Sequence, residues 1–236
     1  MHRRREMASL VMVKNQDGKW LPSGGCDDLA EDFDFWRIYH NAFPPEEKEP
    51  DGIIMKTAKD PLGLVLVFRI PSEEENGLRT AALCTLQFLP RISAAFLIYL
   101  AVNPDIRGQG LGSGVLAAAM AQETFAAAGM PMPEHRILEV EDPDRAENDR
   151  DRTVRERRLG FFAKAGLFPV YDGYIQPALQ QETHVLPMLL LAQSGGLLDM
   201  EEAVAAVYME KYARVNGVEA EVLNSLYRKS FGKNMP

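Results

Sequence analysis

An apolar run that ends in a glycine-rich helix start constrains this chain more than any other stretch. Residues 94–102 are of strand length and almost wholly apolar, Asn103–Pro104 stop the run, and glycines then stand at 108, 110, 112 and 114. Glycine lets a backbone turn tightly and lets a ligand approach with no Cβ in the way. The first-turn N–H groups of a helix have no carbonyl partners, and the helix dipole adds positive potential there. Strand, glycine turn and helix start together make a main-chain cradle for a phosphate or pyrophosphate. Two common phosphate loops do not fit. The dinucleotide pattern G-x-G-x-x-G fails because Ser113 takes the last place counted from Gly108, and Val115 takes it counted from Gly110. A Walker A loop needs Gly-Lys-Ser/Thr, and the stretch has no lysine.

The flanking pattern alternates strands and helices. Residues 9–13 read as a short strand, and residues 31–43 as an amphipathic helix carrying Phe33, Trp36, Tyr39, His40 and Phe43, stopped by Pro44–Pro45. A weaker helix is expected over 52–59, and an antiparallel hairpin over 63–70 and 79–89. One long helix over 109–128 should follow the glycine turn. Residues 136–141 alternate as a strand, 142–151 read as a charged loop, and 152–165 as a helix closed by Gly166. Two more strands fit 169–175 and 185–192. The character then changes. Asp199 and Glu202 resemble a capping box for a helix, and Asn216–Gly217 separate it from a last helix with Val222, Leu226, Tyr227 and Phe231.

The 236 residues suit one large α/β domain or a core with an appendage, and 46% apolar residues suffice for a core. A net charge of −8 argues against non-specific binding to nucleic acid, which needs a dense basic face. Cys26 and Cys84 match no metal or redox spacing and read as reduced thiols. The apolar stretch 8–13 is too short for a signal peptide, and no run approaches a membrane span. A cytoplasmic protein without a membrane partner is expected. His40, His135 and His184 are isolated, so no metal is assigned.

Arg107-x-x-Gly110-x-Gly112, preceded by Leu100-Ala101-Val102 and Asn103-Pro104, resembles the acetyl-CoA signature of the GNAT acyltransferase superfamily. Residues 158–167, Arg-Leu-Gly-Phe-Phe-Ala-Lys-Ala-Gly-Leu, are similar to a later helix of that family. The resemblance spans residues 30–192 in element order. It implies an α/β fold with a mixed, mainly antiparallel sheet, splayed between two central strands and flanked by helices. Residues 1–195 would form the acyltransferase domain, and 196–236 a helical extension packed on the core or on a partner subunit, a homodimer included. The resemblance further implies an N-acyltransferase that moves an acetyl group from acetyl-CoA to an amine. The CoA pyrophosphate would sit on the amides of Arg107, Gly108, Gln109, Gly110, Leu111, Gly112 and Ser113. The pantetheine arm would lie beside Leu100, Ala101 and Val102, whose main chain would polarise the thioester carbonyl.

Direct attack by an amine calls for a base, because an alkyl amine is only about one part in a thousand neutral at pH 7. Glu139 and Glu141 alternate on one strand and so share a face. By resemblance, Glu139 matches the position of a base in some family members. By resemblance, the tyrosine that often protonates the leaving thiolate is replaced here by Phe162, so either CoA leaves without that acid or another residue serves, Tyr171 or Tyr174 in the next strand, with Tyr174 the preferred one. Loop 141–152 would select a cationic substrate or simply be solvated, and Arg155, Arg157 and Arg158 would touch CoA phosphates or line an exposed helix face. The acceptor is a small-molecule amine or a protein amine. Two other classes remain: a non-catalytic acyl-CoA sensor, favoured by Phe162, and an interaction protein that docks a partner on its aromatic tail helices.

Overall fold

The computed structural model describes residues 9–15, 17–72, 77–106, 110–180 and 183–236. The chain forms two compact units, one of Met1–Gln87 with Ile98–Met132, the other of Phe88–Leu97 with Pro133–Pro236.

In the first unit, β1 (Ser9–Lys14) pairs antiparallel with β2 (Trp20–Gly25) and parallel with β3 (Gly63–Ser72). The expected hairpin is present, with β3 antiparallel to β4 (Gly77–Leu89). Strand β2 was not expected from its sequence, WLPSGG, which carries a proline and two glycines. It lies at the edge of its sheet, where proline is tolerated. Trp20 anchors it, buried edge-on against Phe68 at 5.1 Å.

Helix α1 (Phe33–Ala42) starts at Asp32, whose Oδ1 accepts from the Phe35 N–H at 2.8 Å. The other carboxylate oxygen accepts from Thr80 and from Arg69, tying the helix start to the hairpin. Phe35, Ile38 and Tyr39 pack with Ile54 and Ala58 of α2 (Asp51–Lys59) onto Val65, Val67, Leu83, Tyr99 and Ala101. Gly63 opens β3 directly beside α2. A Cβ there would fall on the Thr57 carbonyl oxygen, backbone that cannot swing aside. Gly63→Ala should therefore lower stability by about 1–3 kcal/mol, measured by urea unfolding.

Both cysteines belong to this unit and are buried as free thiols. Burial, followed by the hydrogen bond to Asp28, pushes the Cys26 thiol up to about 12, and burial pushes Cys84 up as well. A thiol-specific chromogenic reagent at pH 8 should thus label neither cysteine in the native protein and both in guanidinium.

Strand β5 (Ala94–Val102) has the expected bounds, and its residues Ile98–Val102 complete the first unit. The long helix expected over 109–128 is instead two, α3 (Leu111–Ala119) and α4 (Gln122–Ala127). Ala121 is extended (φ −77°, ψ 148°), and the Thr124 hydroxyl donates to the Ala118 carbonyl at 2.7 Å, satisfying one of the acceptors left at the end of α3. No glycine or proline marks this break, so the sequence does not betray it.

In the second unit, β5 residues Ala94–Leu97 pair parallel with His135–Leu138 of β6 (His135–Glu141). The whole of β6 is paired antiparallel with β8 (Leu186–Ser194), which also pairs antiparallel with β7 (Phe168–Gln176). Among the pairings described, four are antiparallel and two parallel, an open, mixed, mostly antiparallel arrangement flanked by helices. Helix α5 (Asp149–Ala163) begins inside the segment read as a charged loop. Asn148 caps it by accepting from the Asp151 N–H, and acids in its first turn suit the dipole, so the last three residues of the charge run, 149–151, are helix rather than loop.

The C-terminal residues join this unit. Asp199 caps α6 (Met200–Ala206) by accepting from Glu201 and Glu202, while the Glu202 carboxylate pairs with Arg91 at 2.6 Å instead of closing a capping box. The helix then continues as a π-helix, Val207–Asn216, where an ordinary α-helix was expected. Gly217 (φ +78°) ends it, and α7 (Ala220–Phe231) follows. The buried stripe of α7 runs through Leu223, Leu226 and Tyr227, while Val222 is exposed. Three hydrogen bonds fix these helices to β7: Tyr208 to the Ile175 carbonyl, Tyr171 to the Ser230 carbonyl, and the Ser230 hydroxyl to the Gly173 carbonyl.

Candidate active site

In the first unit, β5 delivers the chain to Asn103, which is buried and fixed from both sides. Its N–H donates to the Ala81 carbonyl at 2.8 Å, and its side-chain oxygen accepts from the Asp105 N–H at 3.1 Å. A short 3₁₀ turn, Pro104–Ile106, follows. Arg107, Gly108 and Gln109 lie outside the described residues. Gly110 has φ +70° and ψ 9°, a left-handed conformation costly for any residue with a Cβ, and no side chain caps α3 after it. A Cβ on Gly110 would meet nothing within 4 Å among the described residues. The amides of Leu111, Gly112 and Ser113 make up the first turn of α3. Uncapped donors at a helix start suit a phosphate, which is the part of CoA expected there. Upstream, Ala101 is buried in the core while Leu100 and Val102 are half-buried.

The first unit also holds a cleft of about 590 Å³, which the sequence did not suggest because its residues are scattered along the chain. It is strongly polar, but its charges are largely matched: Arg69 pairs with Asp28 and Asp32, and Arg37 with Asp34 and Asp105.

In the second unit, Glu139 sits in a dense polar cluster. Its Oε1 accepts from the Gln176 amide at 2.5 Å and from the Tyr212 hydroxyl at 2.6 Å. Tyr174 is fully buried, and burial, then the Glu139 charge, push its hydroxyl well above the usual tyrosine range. It therefore keeps its proton at neutral pH. Tyr171 is engaged elsewhere, donating to Ser230 and stacked on Phe231 at 5.0 Å. Phe162 is buried against Phe161.

Glu141 lies on the same strand but has different neighbours. Arg155 approaches one of its oxygens at 3.1 Å and Arg158 the other at 2.7 Å. Arg155 also pairs with Asp151 and donates to the Asp142 carbonyl, while Arg152 takes Asp144. These pairings neutralise much of the charge in segment 141–152. Arg157 is exposed. Among the described residues, no group of three or more His, Cys, Asp or Glu is placed to hold a metal ion. Nor is any helix among them long and apolar enough to cross a membrane. Gln176 and Tyr212, as partners of Glu139, are what the sequence reading missed. Tyr212 falls on an apolar helix stripe and reads as core, and no spacing rule links position 212 to 139.

No family model matches the chain, and no curated protein matches it. Solved structures do. A protein from Bacteroides thetaiotaomicron described as an acetyltransferase of the GNAT family superposes with a TM-score of 0.57 at 20% identity, over 81% of this chain and 95% of that one. The ribosomal-protein-S18-alanine N-acetyltransferase of Escherichia coli gives 0.44 at 17% identity, covering 70% of this chain and 88% of that one. An aminoglycoside 6'-N-acetyltransferase complexed with coenzyme A gives 0.46 at 14% identity, covering 74% and 94%. The last two, below 0.5, add nothing to the likeness. On the first, and on the strand pairing described above, this chain has the fold of the GNAT acetyltransferases.

Proposed function

We propose that the protein is an acyl-CoA-dependent N-acetyltransferase acting on an amine by direct attack. The observation that carries the reading is the glycine turn that follows β5: a helix start with no side-chain cap, entered through left-handed Gly110. The amides of this turn bind the cofactor phosphates, and the main chain of Leu100–Val102 orients the thioester. Acetyl-CoA supplies the activated acyl group. Glu139 takes the proton that the attacking amine gives up, and Tyr174, beside it, is the candidate to return one to the departing thiolate. The acceptor is a small-molecule or protein amine, the protein works in the cytoplasm, and neither nucleic acid nor membrane is a partner. A screen of amines and peptide N-termini with acetyl-CoA, followed by release of free thiol, tests the reading. At least one acceptor should give thiol release above the hydrolysis background.

Phe162 favours a second reading, a non-catalytic acyl-CoA-binding protein. It has no hydroxyl to give the leaving thiolate, and this reading predicts binding without turnover for every amine tried.

A further inference from the structure

The cluster around Glu139 draws one of its members from the C-terminal extension. Tyr212 lies on the π-helix, is 1% exposed, and stacks edge-on with Phe96 at 6.5 Å. Its hydroxyl donates to the same Glu139 oxygen that receives the Gln176 amide, and Gln176 is itself 4% exposed. Long π-helical stretches are rare, and π-turns recur at functional sites. This one is held in place from both sides of Tyr212: Tyr208 is bonded to β7, and Gly217 closes the helix behind it.

We propose that Tyr212 and Gln176 are positioning residues that hold Glu139 as a carboxylate in a fixed rotamer, so that the C-terminal extension is part of the catalytic apparatus. The inference rests on the reading of Glu139 as the base. Two donors on one oxygen favour the charged form of the carboxyl group and restrict its rotation. The other titratable groups around it are named readily. Tyr174 on β7 and Tyr208 on the π-helix both feel the Glu139 charge. Glu141, two residues on, is held by Arg155 and Arg158. Lys211, next to Tyr212, is fully buried.

The test is Tyr212→Phe, which keeps the ring and deletes the donor. Loss of one hydrogen bond to a charged carboxylate should raise the acidic limb of the kcat/KM profile by about one pH unit. The basic limb and the acetyl-CoA affinity should stay in place. Gln176→Met removes the other donor to the same oxygen, should move the limb in the same direction, and serves if Tyr212→Phe does not fold. A limb that stays where it is in a folded variant overturns the inference. Glu139→Gln, assayed alongside, separates the two levels. If it keeps full turnover, the base assignment fails and takes the inference with it. If it is inactive while the Tyr212→Phe profile superposes on wild type, the inference alone fails.

Discussion

Replacing Glu139 by Gln is expected to lower kcat/KM for amine acetylation by about 10²–10⁴-fold, the usual worth of a positioned general base. Glutamine has the same shape, and its carbonyl oxygen can still accept from Gln176 and Tyr212, so the cluster should stay assembled. What disappears is the group that takes a proton from the amine. The melting temperature and acetyl-CoA affinity should therefore hold while turnover falls, as steady-state kinetics beside a thermal melt will show. Glu141→Gln should act mainly on stability. Its carboxylate lies between two guanidinium groups, and removing the charge leaves Arg155 and Arg158 with a weaker partner.

Gly110→Glu should weaken acetyl-CoA binding by about 100-fold, as expected for a like charge some 5 Å from a phosphate at an effective dielectric near 20. Part of any loss would come from the backbone, because a residue with a Cβ at φ +70° costs about 1–2 kcal/mol. Gly110→Ala isolates that part: it imposes the same strain without the carboxylate, and its Cβ meets nothing within 4 Å among the described residues. The difference between the two variants in calorimetric affinity measures the electrostatic effect. Equal losses would assign the whole effect to strain and remove the argument for a phosphate at this turn.

Much of the fold was legible because its elements follow one physical rule each. β5 is a continuous apolar run closed by Asn103–Pro104, and its expected bounds agree with the structure. The hairpin of β3 and β4 follows from two apolar runs and a polar turn. Elements governed by side chain to backbone bonds were not legible. The interruption between α3 and α4 depends on Thr124 reaching Ala118, and the early start of α5 depends on Asn148. Strand β2 depends on Trp20 finding Phe68, a contact invisible to local pattern. The candidate site divides in the same way. The glycine turn is a local signal, written in consecutive residues. The surroundings of Glu139 come from β7 and the π-helix, 37 and 73 positions away in the chain, and only the folded arrangement brings them together.

Titration of acetyl-CoA into the purified 236-residue chain by isothermal calorimetry tests the central proposal most directly. Saturable binding in the micromolar range, weakened far more by Gly110→Glu than by Gly110→Ala, is the expected result. Absence of binding at millimolar acetyl-CoA by a chain that melts cooperatively would contradict it, leaving a GNAT-like fold without the cofactor that its glycine turn is proposed to hold.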